Sequence, residues 1–279
     1  FGFALATGDF QGDHADDLVV GVVGEDINGQ ADAGAVAVIY GISQMGLRET
    51  NNQLWTESVA EAGGFVEQGD RFGEVLATGD LDGNGVDDLA IGAPAEDVSF
   101  HEDAGAVTVL YSSPSIGVVT TGAQLLDQAG VLDGDSLGDF DNFGYSLIIG
   151  DVVDGTVAGN DLVIGIPQES IGESFVYPQQ GAVTMVPGGG AALATSRAVL
   201  WSKGFFGSAG TLELSSELYG YAMARGDFDG NGWDDIAIGA VLVEGVSPSG
   251  AATNSGAVYT LYGSAQVNAI FADGFGSDQ

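Results

Sequence analysis

Short apolar runs recur along the chain, separated by longer stretches rich in Gly, Asp, Asn and Ser. Runs of this length, bounded by turn-forming residues, are typical of β-strands and too short for helices. The two inner runs in each group are apolar at nearly every position, which favours strands that are covered on both faces. The first inner runs span residues 18–21, 89–92, 162–165 and 236–239, and the second span 34–40, 105–111, 181–186 and 256–262. The pattern predicts an all-β protein.

The apolar runs fall into four repeats, each opened by an aromatic residue followed by glycine. The opening pairs are Phe1-Gly2, Phe72-Gly73, Phe143-Gly144 and Tyr219-Gly220. Each repeat continues with an apolar run, an Asp-rich loop, the first inner run, a variable polar loop, the second inner run, which begins with Gly-Ala-Val, and an irregular fourth run. Four strands in each repeat predict the four-stranded blades of a β-propeller. We expect a single domain over residues 1–279, with repeats at about 1–71, 72–142, 143–218 and 219–279.

The Asp-rich loop of the second repeat has the spacing of a calcium-binding loop. Side-chain oxygens fall at its first, third, fifth and ninth positions, in Asp80, Asp82, Asn84 and Asp88. The backbone carbonyl of Val86 supplies a further oxygen. Hard oxygen donors at this density favour Ca²⁺ over Mg²⁺, which requires a stricter octahedron, and over Zn²⁺, which prefers nitrogen or sulfur.

Two further loops repeat this pattern, and a third is weaker. Turn preference alone explains one such loop, because Asp, Asn and Gly are common in turns, but it does not explain three at matching places. The fourth repeat supplies Asp227, Asp229, Asn231, the Trp233 carbonyl and Asp235. The first repeat supplies Asp9, Gln11, Asp13, the Ala15 carbonyl and Asp17. In the third repeat two extra residues break the spacing, so Asp151, Asp154 and Asp161 are weaker metal candidates. The sequence therefore predicts about three Ca²⁺ sites and a poorer fourth.

The order of these motifs resembles the FG-GAP repeat of integrin α-subunit propellers and their bacterial relatives. Phe72-Gly73, the loop at 80–88 and Gly92-Ala93-Pro94 form the fullest match, and the likeness extends over essentially the whole chain. The resemblance implies that the loops lie between the first and second strands of each blade and that calcium rigidifies the blades. The integrin ring has seven blades, whereas this chain has four repeats. Three arrangements follow: a ring closed at four blades, part of a larger ring, or several chains that complete one another.

The charge of the chain excludes some classes of partner. Lys and Arg number 5 against 40 Asp and Glu, for a net charge of −35. Three Ca²⁺ ions would add six positive charges and leave −29, so the surface repels nucleic acids and anionic membranes. No apolar run is long enough for a membrane-spanning helix, so we expect no membrane insertion.

The absence of Cys removes disulfides as a means of stabilisation, which favours bound metal in that role. The acidic surface and the predicted Ca²⁺ indicate an extracellular or cell-surface protein, and the lack of disulfides favours bacterial or archaeal secretion. The chain begins at Phe1 without Met or a signal peptide, which indicates a processed or truncated N-terminus.

Residues suited to catalysis are scarce. The chain has no Cys and a single lysine, Lys203, and its two histidines, His14 and His101, lie in dissimilar loops. We therefore expect a binding or adhesion module rather than an enzyme. Its variable loops, at 25–33, 96–104, 169–180 and 241–255, would be presented to a protein or glycan partner. The alternatives are a structural subunit that binds copies of itself in an extracellular fibre or surface layer, and a carbohydrate-active enzyme on a propeller scaffold.

Overall fold

The computed structural model describes residues 1–58, 64–132, 137–153, 159–170, 179–202, 217–241, 244–246, 252–254, 256–264 and 272–274. Within these residues the protein consists mainly of four-stranded antiparallel sheets, one for each repeat. In the same residues, the helices are too short or too polar to cross a membrane. The all-β class and the four-stranded unit predicted from the sequence are confirmed.

The first two sheets have the same strand order along the chain. The first repeat contains β1 (Leu5–Gly8), β2 (Asp17–Gly21), β3 (Val36–Ile39), β4 (Gly41–Ile42), β5 (Gly46–Leu47) and β6 (Gln53–Trp55). The second contains β7 (Val75–Gly79), β8 (Asp88–Ala93), β9 (Ala106–Leu110), β10 (Ser112–Ser113), β11 (Gly117–Val118), β12 (Gln124–Leu126) and the short helix α1 (Gln128–Val131). Strands β1-β2-β3-β6 and β7-β8-β9-β12 form the sheets, whereas β4-β5 and β10-β11 are two-stranded ribbons.

The last two sheets follow the same order. The third repeat contains β13 (Ser146–Gly150), β14 (Asp161–Ile166), β15 (Ala182–Val186), a 3-10 helix (Thr195–Arg197) and β16 (Val199–Ser202). The fourth contains β17 (Tyr219–Gly226), β18 (Asp235–Ala240), β19 (Glu244–Val246), β20 (Ala252–Asn254), β21 (Ala257–Leu261) and β22 (Ala272–Gly274). Strands β13-β14-β15-β16 and β17-β18-β21-β22 form the sheets, and β19-β20 is a ribbon.

The two inner strands of the second sheet (β8 and β9) and of the third (β14 and β15) are buried along their whole length, as their apolar sequences predict. The sequence did not predict helix α1, which starts where the Asp127 side chain accepts a hydrogen bond from the Gly130 amide and so caps the first turn. Trp55 and Trp201 lie at equivalent places in β6 and β16, and both are buried in apolar clusters.

The aromatic residue that opens each repeat packs against the preceding sheet. Phe72, Phe143 and Tyr219 are fully buried, each among residues of the repeat before it. The glycine that follows Phe72 has a positive φ, and a Cβ there would lie 2.6 Å from the Val36 side chain. A close approach that only glycine permits therefore joins successive sheets.

The first and last sheets each lack one such contact within the described residues. Phe1, the aromatic residue that opens the first repeat, is 85% exposed. Val258 is 47% exposed, although the valines at the same position in the other sheets are buried under the next aromatic residue. Within the described residues, no strand of the first sheet pairs with a strand of the fourth.

Candidate metal centres

The first aspartate of each regular loop shapes the loop backbone. In the second repeat, one carboxylate oxygen of Asp80 accepts hydrogen bonds from the amides of Gly83 (2.7 Å) and Asn84 (3.0 Å). The other oxygen accepts from Gly85 at 2.9 Å. Asp227 makes the same three contacts in the fourth repeat, and Asp9 makes three equivalent contacts in the first. The loop backbone therefore folds around a carboxylate.

The ninth aspartate joins the loop to the sheet. Asp88 is fully buried, and its Oδ2 accepts from the amides of Leu81 (2.8 Å) and Asp82 (3.3 Å). Its Oδ1 accepts from the amide of Ser112 at 2.7 Å, just beyond β9. The same role recurs in every repeat, through Asp17, Asp161 and Asp235.

Burial disfavours the charged form of Asp17, Asp88 and Asp161 and so raises their pKa. Loss of solvent raises the pKa of Asp88 to about 7 and that of Asp161 to about 6, although the backbone donors oppose this shift. A cation close to Asp88 would offset this cost, because an opposite charge nearby favours the ionised carboxylate.

Two of the loops bring three carboxylates together. Oxygens of Asp80, Asp82 and Asp88 all lie within 4.8 Å of one another, and so do those of Asp227, Asp229 and Asp235. Ca²⁺–oxygen bonds are about 2.3–2.6 Å long, so two oxygens on one ion are at most about 5 Å apart. Each of the two triads is therefore compact enough to bind one Ca²⁺ ion.

The predicted amide ligands of these two loops already make hydrogen bonds. The Oδ1 atom of Asn84 accepts from the Val86 amide at 2.9 Å, and its Nδ2 donates to the Ser112 carbonyl at 2.9 Å. Asn231 makes the same pair of contacts with Trp233 and Gly263. An amide oxygen has two lone pairs, and the hydrogen bond uses one of them. The Oδ1 atom of each Asn therefore has a second lone pair that could coordinate a cation. The ligand roles of both residues and of the Val86 and Trp233 carbonyls stay predictions.

The first loop is built differently. Asp9, Asp13 and Asp17 do not converge as the other two triads do. Gln11, at the third position, accepts a hydrogen bond from the Arg48 guanidinium at 2.9 Å and donates to the Ile116 carbonyl at 3.3 Å. The positively charged guanidinium of Arg48 thus lies beside the third residue of this loop, a position that is an aspartate in the loops at 80–88 and 227–235. The calcium site predicted in this loop, with the Ala15 carbonyl as a ligand, stays a prediction, and the Arg48 charge opposes it.

The loop of the third repeat keeps only part of the pattern. Asp161 retains the role of the ninth aspartate, and the Asp151 amide donates to the Asp234 carboxylate of the next repeat at 3.0 Å. Asp154 lies outside the described residues. Metal binding by Asp151 and Asp161 therefore stays a prediction.

The eighth position of each loop has a role that the sequence analysis missed. The Asp87 carboxylate accepts from the Asp9 amide at 2.8 Å, and Asp234 accepts from Asp151 in the same way. At the intervening junction the Asn160 amide donates to the Asp80 carbonyl at 2.7 Å. The second, third and fourth loops are thus each bonded to the loop of the preceding repeat. The Asp-Asp doublets at 87–88 and 234–235 were the available sequence signal.

A histidine and a carboxylate that no sequence motif links lie side by side in the second repeat. The Nδ1 atom of His101 lies 3.0 Å from an Asp139 carboxylate oxygen. The pair borders a cleft of about 300 Å³, which is also lined by Asp141, Glu169 and Ser170. His101 and Asp139 are 38 residues apart, so only the fold of the chain brings them together.

Comparison with known proteins identifies the repeat. The model of the FG-GAP repeat family matches residues 72–110. Integrin alpha pat-2 of Caenorhabditis briggsae is 31% identical over 255 residues, which cover 86% of this chain and 18% of that protein. Human phosphatidylinositol-glycan-specific phospholipase D is 32% identical over 166 residues, which cover 60% of this chain and 18% of that protein. The chain therefore spans less than a fifth of the length of these curated relatives.

One solved structure superposes on most of the chain. It is a crystal structure of rhamnogalacturonan lyase YesW, at 14% sequence identity and a TM-score of 0.43, over 92% of this chain and 46% of that one. A likeness this distant carries no inference about fold or activity.

Proposed function

The chain belongs to the FG-GAP repeat proteins, and from that premise we propose that it is a calcium-stabilised β-propeller module for binding or adhesion. The proposal includes a single domain with the repeat limits given above and an extracellular or cell-surface location. It is supported by the integrin relative, which matches over most of the chain. The function of the longer protein in which such a module occurs is a separate question, because the match covers little of each relative.

The observation that carries this proposal is the convergence of three carboxylates in each of two loops at equivalent places. Such loops suit structural Ca²⁺ sites, because each ion would fix the connection between the first and second strands of its sheet. The bonds from the eighth position would extend this effect to the neighbouring loop. One end of the module would then be rigid, and the opposite end would carry the variable loops.

The described variable loops are tight hairpins that project from the end opposite the Asp-rich loops. Ile27 pairs with Gln30 in the first, and Val98 pairs with His101 in the second. Phe100, at the tip of the second hairpin, is 100% exposed. An aromatic side chain on a rigid tip is the kind of residue that anchors an interface. The loops at 169–180 and 241–255 lie partly outside the described residues.

We test the binding role with substitutions at opposite ends of the molecule. The partner is sought by adding the purified protein, in Ca²⁺, to arrays of immobilised glycans and of extracellular proteins. Phe100→Ser is expected to weaken binding to any captured partner about tenfold or more, with an unchanged melting temperature. Met45→Ser is the matched control, because Met45 is 80% exposed but lies in the β4–β5 turn at the other end. Equal binding by both variants would exclude the hairpin as the binding surface.

Self-assembly is the first alternative. The exposed side chains of Phe1 and Val258 suit it, because one copy would bury these residues of another. Light scattering that shows a mass rising with concentration, and falling on Val258→Asp, would support this arrangement over a ring closed at four blades.

The enzyme alternative rests on the cleft beside His101 and Asp139, and one relative is named as a phospholipase. Turnover of a polysaccharide or a glycolipid that is lost on His101→Ala would support it. Retention of that turnover by the variant would exclude this cleft.

A further inference from the structure

A third group of carboxylates lies away from the Asp-rich loops. Oxygens of Glu57, Asp70 and Glu96 lie within 4.8 Å of one another. Glu57 follows β6 by two residues, Asp70 precedes the opening Phe72 by two, and Glu96 follows β8 by three. The group therefore lies between the first and second sheets. Because β8 separates it from the loop at 80–88, it lies roughly 20 Å from that loop, at the opposite end of the sheet.

These carboxylates are buried with few hydrogen-bond donors around them. The exposed fractions of Glu57, Asp70 and Glu96 are 3%, 2% and 5%. Among the described residues, no N–H or O–H group donates to either carboxylate oxygen of Glu57 or to Oε2 of Glu96. Asp70 is held in place, because its Oδ2 accepts from the Glu67 amide at 2.5 Å. In the described part of the chain, no arginine forms an ion pair with any of the three.

At the next junction, a side-chain amide of the chain itself donates a hydrogen bond to the carboxylate at the equivalent place. Gln128, Asp141 and Glu169 occupy the equivalent places between the second and third sheets. There the Gln128 amide donates to a Glu169 carboxylate oxygen at 2.6 Å. The repeat does not require a carboxylate at the position of Glu57, since an amide fills it at the second junction.

The sequence of the third junction points the same way. Lys203 stands two residues after Trp201, as Glu57 stands two after Trp55, and Glu217 stands at the position of Asp70. Lys203 itself lies outside the described residues. A neutral donor and a positive charge thus occur where the first junction has a third carboxylate. Of the three junctions, only the first has a carboxylate at this position, so its three carboxylates need a cation or protons to offset their repulsion.

We propose that Glu57, Asp70 and Glu96 bind a divalent cation, Ca²⁺, between the first and second sheets. Three carboxylates offer up to six oxygens, which suits the six to eight oxygen ligands of Ca²⁺. The group has no nitrogen or sulfur donor, which argues against Zn²⁺, and its burial leaves little room for the water shell that Mg²⁺ retains. The ion would join two sheets, whereas an ion in an Asp-rich loop would stabilise one.

Shared protons are the competing explanation for this group. Burial, followed by the charge of the neighbouring carboxylates, raises the pKa of both Glu57 and Glu96 above the usual range. A proton held between these two side chains would also relieve their repulsion. Cation binding and proton sharing differ in one measurable respect, the number of Ca²⁺ ions that the protein binds.

The test counts bound Ca²⁺ in the purified protein by equilibrium dialysis at saturating Ca²⁺. Glu57→Gln copies the arrangement of the second junction and is expected to bind about one ion fewer than the wild type. Gln128→Glu builds a third carboxylate into the second junction and is expected to bind about one more. Asp80→Asn/Asp82→Asn removes a loop site independently, so failure of the loop sites and failure of this site are distinguishable.

An unchanged count in Glu57→Gln would overturn the proposal in favour of shared protons. Glu96→Gln provides the same measurement should Glu57→Gln fail to fold, with the same loss of about one ion expected. The inference does not depend on the proposed binding function, because it concerns residues outside the Asp-rich loops.

Discussion

The loops at 80–88 and 9–17 share their spacing and their backbone fold but differ in how they place charge. In both, the first aspartate accepts three amides and the ninth accepts backbone donors from the loop and the sheet. Of these two loops, only the one at 80–88 brings three carboxylates together. In the other, Gln11 is bonded to Arg48. The spacing thus specifies the shape of the loop, and the third residue decides whether that shape concentrates negative charge.

The largest expected effect comes from removing the ninth aspartate of either loop. Asp88→Ala leaves two buried amides and one half-buried amide without acceptors, at about 1–3 kcal/mol each, so we expect a loss of roughly 3–6 kcal/mol in the free energy of unfolding. Asp17→Ala is expected to cost nearly as much in EGTA, because it has the same structural role. Urea denaturation with and without Ca²⁺ measures both.

The two variants are expected to differ in their response to calcium. The wild type should gain stability on addition of Ca²⁺, by about 2.7 kcal/mol per site at a hundredfold excess over the dissociation constant. The calcium-dependent gain in stability should be smaller by one site in Asp88→Ala. In Asp17→Ala it should be the same as in the wild type. An equal calcium response in the two variants would mean that the loops bind metal alike, or not at all.

A smaller effect is expected from pH in the absence of metal. The pKa of Asp88 is raised from its ordinary value to about 7 in the folded protein, so the unfolded chain releases this proton first. The stabilising contribution of protonated Asp88 is therefore complete below about pH 4 and lost as pH rises through 7. Between pH 5 and 8 in EGTA we expect this one group to lower the free energy of unfolding by roughly 3 kcal/mol.

Calcium should remove much of this dependence, because it binds the ionised carboxylate. Denaturation curves at several pH values, in EGTA and in Ca²⁺, test the sign. Asp88→Asn is the control, since its side chain does not titrate. A metal-free wild type that becomes more stable between pH 5 and 8 would contradict the direction of the shift.

The sequence specified the repeating parts of the molecule and not the contacts between repeats. The order of strands and the triads at 80–88 and 227–235 depend on local spacing, which a single chain displays directly. The hydrogen bond from Arg48 to Gln11 joins residues 37 positions apart, and Glu57 and Glu96 meet only because two sheets pack together. Neither Glu57 nor Glu96 lies in a motif. Such groups become visible only when the equivalent positions of successive junctions are compared in the fold.

The smallest expected effect tests whether the third residue alone separates the two loops. Gln11→Asp gives the first loop a third aspartate, but Arg48 is close enough to form an ion pair with it. We therefore expect the single variant to show little additional response to calcium. Gln11→Asp/Arg48→Gln removes that competing cation and should bind about one more Ca²⁺ ion than the wild type. The Arg48→Gln variant controls for loss of the contact between the guanidinium and the Tyr40 ring, which lie 4.6 Å apart. An unchanged ion count in the double variant would show that the first loop is excluded from metal binding by more than its third residue.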